Sequence, residues 1–276
     1  MTENWLKQLG AEPLAAGMES RVYRIGDGRL AKVWARRTCA ELVRLKAFYD
    51  ELSLPFATPV IEEIQEIDGA CVTFERELPG TPLPGDPTPA AIECLLDVLE
   101  ALAATRPGPA LRELPVLDEP EPVGTLAELI ERRAARFGDQ LHAAVPGFDA
   151  LLERLTALPY DEVAVVHGDL VPANILVDDH LRPLALLDFG FLSFAGDPAF
   201  DAAVAASIWD MYGPHARDTE ALLDRAIAER FGHDAERLAL DRAAYAVITS
   251  NAYDPRGRDG HFAWCVALLR RETSGM

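Results

Sequence analysis

The stretch His167-Gly168-Asp169-Leu170-Val171-Pro172-Ala173-Asn174, followed by Asp188-Phe189-Gly190, carries the strongest signal in this chain. Pro172 separates Asp169 from Asn174, and because proline interrupts regular helix, we expect both side chains on an irregular loop. Short apolar runs flank this loop, at Val163–Val166, Ile175–Val177 and Leu184–Leu187. These runs predict strands, so the sequence indicates that the polar residues lie close together on loops backed by a small sheet.

The residue types on these loops suit phosphoryl transfer from a nucleoside triphosphate. That reaction needs a carboxylate that accepts the proton of the acceptor hydroxyl, and oxygen ligands for magnesium. Taken singly, an aspartate after a strand is more often a turn former or a helix cap. Asp169, Asn174 and Asp188 occur together at spacings that favour a catalytic site over three independent turns.

The segment resembles the catalytic and metal-binding loops of the aminoglycoside phosphotransferase and choline kinase family, the small-molecule branch of the protein-kinase-like fold. The family pattern is His-Gly-Asp, four residues, Asn, then a strand and Asp-Phe-Gly, and every position is matched here. The resemblance implies that Asp169 is the catalytic base, that Asn174 and Asp188 bind magnesium, and that His167 supports the loop. It also implies an α+β, two-lobed fold with a small antiparallel-sheet N-lobe and a larger, mainly helical C-lobe.

The order of predicted elements agrees with this architecture. Strands are predicted at Ala11–Ala16, Arg21–Ile25, Leu30–Trp34, Val60–Ile67 and Ala70–Glu75, with a helix over Thr38–Leu52 that a Thr38–Glu41 capping box begins. Helices are predicted at Pro89–Ala104, Leu126–Phe137, Phe148–Leu158, 201–211, 217–231, 235–252 and 260–271, with an irregular loop over Arg106–Gly124. We therefore expect a nucleotide-binding lobe over residues 1–76, a Pro- and Gly-rich linker over 77–88, and a catalytic and acceptor-binding lobe over 89–276.

Lys32 is the predicted phosphate-binding cation. It is one of only three lysines in the chain, and it lies between apolar residues of a strand, where a half-buried ammonium requires an anion. The family resemblance implies that Lys32 contacts the α and β phosphates and that a carboxylate on the following helix holds it. Glu41 is the first candidate for that carboxylate, and Glu51 is the alternative.

The phosphate loop departs from the glycine-rich pattern of protein kinases. Residues 16–22 read Ala-Gly-Met-Glu-Ser-Arg-Val, with Gly17 as the one glycine. The backbone around Glu19 and the Ser20 hydroxyl are expected to cover the phosphates, although Gly17 is equally suited to a plain turn. The backbone from Glu75 to Glu77 leads into the linker and is expected to contact adenine.

The acceptor is predicted to be a small molecule. Gly168 replaces the arginine that couples protein kinases to a phosphorylated activation loop, which predicts an enzyme without that control. Only ten residues, Phe191–Phe200, separate the metal loop from the next helix, which is too few for a protein-substrate platform. Asp201 is expected to cap a helix or anchor a loop, and so is Asp197, for which a position near the metal or acceptor is the alternative. Acceptor-pocket candidates are Asp210, Asn251, Tyr253, Asp254 and His261, with the aromatic residues Trp209, Tyr212 and Trp264, although a structural role suits each of them better.

Composition bounds the partners and the compartment. A net charge of −19 over 276 residues argues against nucleic acid and fits a cationic acceptor. No apolar run is long enough to span a membrane, and Met1–Trp5 lacks the pattern of a secretory signal, so we expect a cytoplasmic protein without membrane contact, as a monomer or homodimer. The four cysteines form no Cys-x-x-Cys pair and are expected to be free, buried thiols.

The sequence thus predicts an ATP- and magnesium-dependent phosphotransferase that acts on a hydroxyl group of a small molecule, with GTP as an alternative donor. An aminoglycoside-type antibiotic is the first candidate acceptor. A metabolic kinase for choline, homoserine, a sugar or an amino sugar is the alternative. A nucleotide-binding pseudoenzyme is a third possibility, against which the intact Asp169, Asn174, Asp188 and Lys32 argue.

Overall fold

A small antiparallel sheet at the start of the chain leads into a region built mainly from helices. The computed structural model describes residues 3–17, 19–161 and 163–273. Met18 of the predicted phosphate loop, and the first two residues of the N-terminal segment, lie outside this description. The observed order of elements confirms the predicted α+β architecture.

The N-terminal sheet contains five strands in the order β1-β2-β3-β5-β4, all antiparallel. They are β1 (Glu12–Ala16), β2 (Ser20–Arg24), β3 (Arg29–Trp34), β4 (Ile61–Ile67) and β5 (Ala70–Arg76), preceded by α1 (Glu3–Gln8) and interrupted by α2 (Cys39–Glu51). Each of these strands lies within two residues of its prediction. The predicted capping box is confirmed, because Thr38 caps α2 and Glu41 bonds back to the Thr38 amide. The short helix α1 was not predicted.

A disulfide joins Cys39, the first residue of α2, to Cys71 on β5, with their Cα atoms 5.5 Å apart. The prediction that all four cysteines are free is therefore wrong for this pair, because the fold brings two distant segments within bonding distance. Cys94 and Cys265 are free and buried, as predicted.

The rest of the chain is mostly helical. Its helices are α3 (Pro89–Ala104), α4 (Pro109–Arg112), α5 (Leu126–Ala144), α6 (Phe148–Thr156), α7 (Pro198–Ile208), α8 (Ala216–Phe231), α9 (Ala235–Thr249) and α10 (Gly260–Thr273). The segment predicted as an irregular loop contains α4. The helix expected from residue 201 begins three residues earlier, because Asp197 caps it by accepting from the Ala199 amide.

The strands near the catalytic segment form two small sheets, not the single sheet that the sequence suggested. β7 (Ala164–Val166) pairs with β10 (Phe194–Gly196), whereas β8 (Ile175–Val177) lies between β6 (Thr81–Pro82) and β9 (Pro183–Leu186). β6 and β10 contain two and three residues and were not predicted, because β6 lies in the proline-rich linker and β10 lies in the segment expected only to connect the metal loop to the next helix. β6 ties the Pro-rich linker to the catalytic segment.

The hydrophobic core is continuous between the N-terminal sheet region and the helices. Phe48 and Tyr49 of α2 pack edge-on against Phe189, with ring centroids 5.4 and 6.1 Å away. Ala57 adds a backbone link, because its amide donates to the Leu184 carbonyl and its carbonyl accepts from the Leu186 amide, each at 2.9 Å. None of the helices within the described residues is long and apolar enough to cross a membrane.

Candidate active site

The catalytic loop leaves β7 through a buried histidine. The His167 ring donates from Nε2 to the Leu187 carbonyl at 2.7 Å, and its Nδ1 accepts from the Asp169 amide at 3.1 Å. Burial lowers the pKa of His167 to about 4, so the ring is neutral at physiological pH. His167 therefore joins the loop that carries Asp169 to the strand end before Asp188.

Asp201 anchors the same loop from α7. Its two carboxylate oxygens accept from the backbone amides of His167 and Gly168 at 2.7 and 2.8 Å. This is the anchoring role that the sequence analysis allowed for Asp201. Gly168 has a φ of +77°, and a Cβ on it would lie 2.3 Å from the Leu192 carbonyl oxygen. An arginine or any other side chain is therefore excluded at this position on two separate grounds.

Asp169 and Asn174 are brought together by a single 3₁₀ turn, Pro172–Asn174. The Asn174 side-chain amide donates to the Asp169 backbone carbonyl at 2.8 Å and lies 3.4 Å from the Asp169 carboxylate. Burial and the nearby Asp188 carboxylate raise the pKa of Asp169 to about 7, although the Asn174 amide opposes the shift. A carboxylate that titrates near neutral pH is suited to accept a hydroxyl proton.

Asp188 follows β9 in a left-handed conformation, with a φ of +56°. That conformation is strained for most residues with a side chain, and aspartate is among the few that tolerate it. Just over half of its side chain, 53 %, is exposed, and it forms an ion pair with Lys32. Lys32 lowers the pKa of Asp188 below its ordinary value, so the carboxylate is ionised and open to the cleft.

The Asp188 loop is tied to the catalytic loop by Ser193, which the sequence analysis did not single out. The Ser193 hydroxyl accepts from the Gly190 amide and donates to the His167 carbonyl, both at 2.9 Å. Because Ser193 is fully buried, these two bonds fix the distance between the loops that carry Asp169 and Asp188.

Arg37 is a second residue that the sequence did not reveal. It follows β3, is buried, and donates to the Gly190 carbonyl at 2.7 Å and to the Glu19 carboxylate at 3.0 Å. Glu19 belongs to the predicted phosphate loop. Arg37 therefore connects that loop to the residues after Asp188. The two contacts join residues that are 18 and 153 positions apart in sequence, so no local sequence pattern could predict them.

A cavity of about 180 Å³ lies where these elements meet. Its lining residues are Gly17, Glu19, Ser20, Lys32, Asp169, Asp188, Phe191 and Tyr253. The cavity thus brings together the predicted base, one predicted metal ligand, the predicted cation and the hydroxyl of the predicted phosphate loop. Three carboxylates and two aromatic rings face the same space.

The other residues predicted for the nucleotide site either lie away from this cavity or have a different role. Glu41 bonds to Thr38, Glu51 accepts from the Ala110 amide at 3.2 Å, and neither contacts Lys32. The Glu77 side chain pairs with Arg24, while its backbone amide donates to the Gly28 carbonyl at 2.8 Å. That amide is therefore already bonded and not open to an adenine ring. Glu75 is buried within β5 and accepts from Thr73.

Of the acceptor-pocket candidates, Tyr253 is the one that lines the cavity. Asn251 is buried and donates to Gln140, and Asp254 closes a turn with Arg256. His261 is buried against Thr249 and stacks on Trp264, with Tyr212 bonded to its other ring nitrogen at 3.1 Å. Asp210 accepts from the Gly213 amide through its backbone, and Trp209 is buried and donates to the Gly85 carbonyl. These contacts give most of the candidates structural roles.

The family model described as the phosphotransferase enzyme family, APH, matches residues 10–240. The chain belongs to this family. The match includes the N-terminal sheet, the linker and both loops of the site, and it confirms the family expected from the sequence.

Individual relatives of the phosphotransferase family agree with this assignment. An aminoglycoside 3'-phosphotransferase of Streptomyces fradiae is 31 % identical over an alignment of 168 residues that covers 49 % of this chain and 59 % of the relative. The match therefore spans little more than half of that relative's length.

Solved structures share the fold over nearly the whole chain. A thermostable mutant of aminoglycoside phosphotransferase APH(4)-Ia, in a ternary complex with AMP-PNP and hygromycin B, has a TM-score of 0.66 at 20 % identity and 99 % coverage of each chain. The GDP and kanamycin complex of APH(2")-IIia has a TM-score of 0.65 at 18 % identity, with 99 % of this chain and 96 % of that chain covered. These likenesses confirm the protein-kinase-like, two-lobed fold.

Proposed function

We propose that this protein transfers the γ-phosphoryl group of ATP to a hydroxyl group of a small molecule, with magnesium as cofactor. The observation that carries the proposal is the shared cavity of Asp169, Asp188 and Lys32, with Asn174 bonded beside Asp169. Phosphoryl transfer depends mainly on positioning and on stabilising charge, and these residues supply both. The relatives that bind AMP-PNP or GDP support a nucleotide in the same cleft.

Each residue has a role that follows from its position. Asp169 accepts or orients the hydroxyl proton, since its raised pKa keeps it a competent base near neutral pH. Lys32 binds phosphate oxygens, and the hydroxyl of Ser20 and the backbone near Glu19 cover them. Arg37 holds Glu19 and Gly190 together, which orders the phosphate loop relative to Asp188.

The donor set fits magnesium. Asn174 uses its amide nitrogen toward Asp169, which leaves its side-chain oxygen as a ligand, and the ionised Asp188 carboxylate is more than half exposed in the cleft. Magnesium prefers oxygen ligands and usually completes its shell with water and substrate phosphates, so two protein ligands suffice. Asn174 and Asp188 would hold the ion, whose positive charge would offset the negative charge that develops during transfer.

The first candidate acceptor is an aminoglycoside. The cavity lining contains three carboxylates, Glu19, Asp169 and Asp188, and one cation, Lys32, and this excess of negative charge suits a polycationic amino sugar. The Streptomyces relative is named as an aminoglycoside 3'-phosphotransferase. The rings of Phe191 and Tyr253 favour, as a second candidate, a metabolic acceptor with an apolar or quaternary-ammonium face, such as choline.

The test is a coupled assay of ADP or GDP release with purified protein, ATP or GTP, and magnesium. The panel contains aminoglycosides, sugars, amino sugars, homoserine and choline. We expect acceptor-dependent turnover with at least one member, a loss of about 10²- to 10⁴-fold in kcat for Asp169→Asn, and unchanged nucleotide affinity. Asp179→Asn, an exposed aspartate in the turn after β8, is the matched control and retains turnover. Near wild-type kcat in Asp169→Asn would refute the mechanism. Nucleotide binding without turnover on any acceptor would instead favour the pseudoenzyme.

A further inference from the structure

Lys32 is held in a buried position that requires a permanent counter-charge. It is only 9 % exposed, and its contacting carboxylate is Asp188. This inference rests on the proposed function, in which Asp188 is a metal ligand and is therefore not the exclusive ion-pair partner of Lys32. A buried ammonium without a carboxylate nearby is unfavourable. A second acidic side chain beside Lys32 would keep its ammonium oriented when Asp188 binds the metal.

The helix that follows β3 offers no such side chain. All residues of α2 are described, and its buried face consists of Leu42, Leu45, Phe48 and Tyr49. Leu45 lies against Gly190, where its Cδ1 is 3.2 Å from the position of a Cβ on that glycine. The two acidic candidates on this helix, Glu41 and Glu51, are bonded at its opposite ends. The inner face of α2 is therefore apolar.

Glu75 on β5 is buried beside Lys32 instead. Lys32 lies directly opposite Thr73 in the ladder between β3 and β5, and Glu75 is two residues further on. Residues two apart on a strand share a face, and a diagonal neighbour lies within reach of long side chains. Glu75 is 8 % exposed and lies on the same face as the Lys32 ammonium.

A chain of polar contacts fixes the Glu75 carboxylate. The Thr73 hydroxyl donates to Glu75 Oε1 at 2.5 Å, and the Trp34 indole donates to the same hydroxyl at 3.0 Å. The Lys32 ammonium lies 4.4 Å from the centre of the Trp34 ring. Thr73 and Trp34 thus connect the Glu75 carboxylate to the Lys32 ammonium. Because the contacts are buried, their orientation is well defined.

We propose that Glu75 is the positioning residue for Lys32, and that strand β5 performs here what a helix carboxylate was expected to perform. Glu75 has no direct ion pair with Lys32 among the described contacts and acts through space across the buried face. Burial alone would lower the pKa of Lys32, but Asp188, Glu75 and Glu19 together raise it. In this arrangement the orientation of Lys32 depends on the sheet and does not depend on where α2 lies.

The test measures binding of AMP-PNP with magnesium by calorimetry, in Glu75→Gln, Lys32→Met and the double variant. We expect Glu75→Gln to raise the Kd for AMP-PNP about tenfold, because Lys32 would then contact the phosphates in a less favourable orientation. In the Lys32→Met background, Glu75→Gln should raise the Kd less than twofold further. Glu75→Asp should recover part of the affinity. The control is Glu63→Gln, an exposed carboxylate on β4, which should bind like wild type.

Several results would overturn the inference. Binding by Glu75→Gln within twofold of wild type would do so, as would an equal loss with and without Lys32, or a tenfold loss in Glu41→Gln. Thermal unfolding is measured for each variant. Should Glu75→Gln fail to fold, Thr73→Val, which removes the hydroxyl that holds Glu75, should lose two- to fivefold in binding only when Lys32 is present. A wild-type protein that binds no nucleotide would refute the proposed function itself, a distinguishable outcome.

Discussion

The side-chain amide of Asn174 donates to the backbone carbonyl of Asp169 at 2.8 Å, and this bond uses the nitrogen end of the amide. The nitrogen is committed to the loop, so the oxygen is available as a ligand. The same residue therefore shapes the catalytic loop and supplies a candidate magnesium ligand.

Asn174→Asp is expected to be more harmful to loop structure than its small size change suggests. A carboxylate cannot donate to the Asp169 carbonyl, and it adds a negative charge beside Asp169 and Asp188. We expect kcat to fall at least about 10²-fold and the free energy of unfolding to fall by about 1–3 kcal/mol, from the lost buried bond. Urea unfolding and the coupled assay check this. A stable and active Asn174→Asp would show that the amide donor is dispensable.

Arg37→Met is expected to weaken nucleotide binding without touching the base. The substitution removes the donor to Gly190 and the partner of Glu19, so the phosphate loop loses its link to the Asp188 loop. Hydrogen bonds to charged groups contribute about 1.5–3 kcal/mol each, so we expect KM for ATP to rise about tenfold or more. Arg44→Met, an exposed arginine on α2, is the control. Equal KM values in the two variants would contradict the role given to Arg37.

The sequence revealed most of the fold because the relevant patterns are local. The five sheet strands and the start of α2 were predicted to within two residues, since alternation, turn residues and a capping box all lie within short windows. The catalytic segment from His167 to Gly190 could also be predicted, because its loop, strands and polar residues follow one another in a fixed order along the chain. Of the short strands, β7 and β8 match predicted apolar runs, whereas β6 in the linker and β10 before α7 were missed.

Contacts between segments that are far apart in sequence could not be predicted. Arg37 meets Gly190 across 153 positions, and Ser193 meets His167 across 26. The partner of Lys32 was sought on the next helix by family resemblance, yet α2 presents Leu45 and Tyr49 inward, and the buried carboxylate nearby is Glu75. Whether a polar residue is buried, and beside what, follows from packing and not from its neighbours in sequence.

Asp201 gives the protein a specific dependence of stability on pH. Burial raises the pKa of Asp201 to about 7, although the amides of His167 and Gly168 oppose the shift. A carboxyl with a raised pKa stabilises the folded state most below its ordinary pKa near 4, and this contribution is lost as pH rises through about 7. Asp201→Asn lacks the titration. From pH 5 to pH 8, wild type should therefore lose roughly 2–3 kcal/mol of unfolding free energy relative to Asp201→Asn.

Urea unfolding of both proteins at the two pH values measures this difference directly. Other titrating groups are common to the two proteins and cancel in the comparison. Asp201→Asn also loses one of the two amide bonds at every pH, which adds a constant offset and leaves the slope unaffected. Parallel pH profiles for the two proteins would show that Asp201 does not titrate in this range.

The Cys39–Cys71 disulfide should contribute measurably to stability. It closes a loop with a sequence separation of 32, and loop-closure entropy for that length corresponds to about 3–4 kcal/mol. The double variant Cys39→Ser, Cys71→Ser is expected to lose about that amount of unfolding free energy. A reducing agent should lower the stability of wild type to the same level and leave the double variant unchanged.

Thiol titration in denaturant should find two free thiols, from Cys94 and Cys265, before reduction and four after it. Four free thiols without reductant, in protein purified under oxidising conditions, would show that the bond does not form. Wild type and the double variant would then have the same free energy of unfolding.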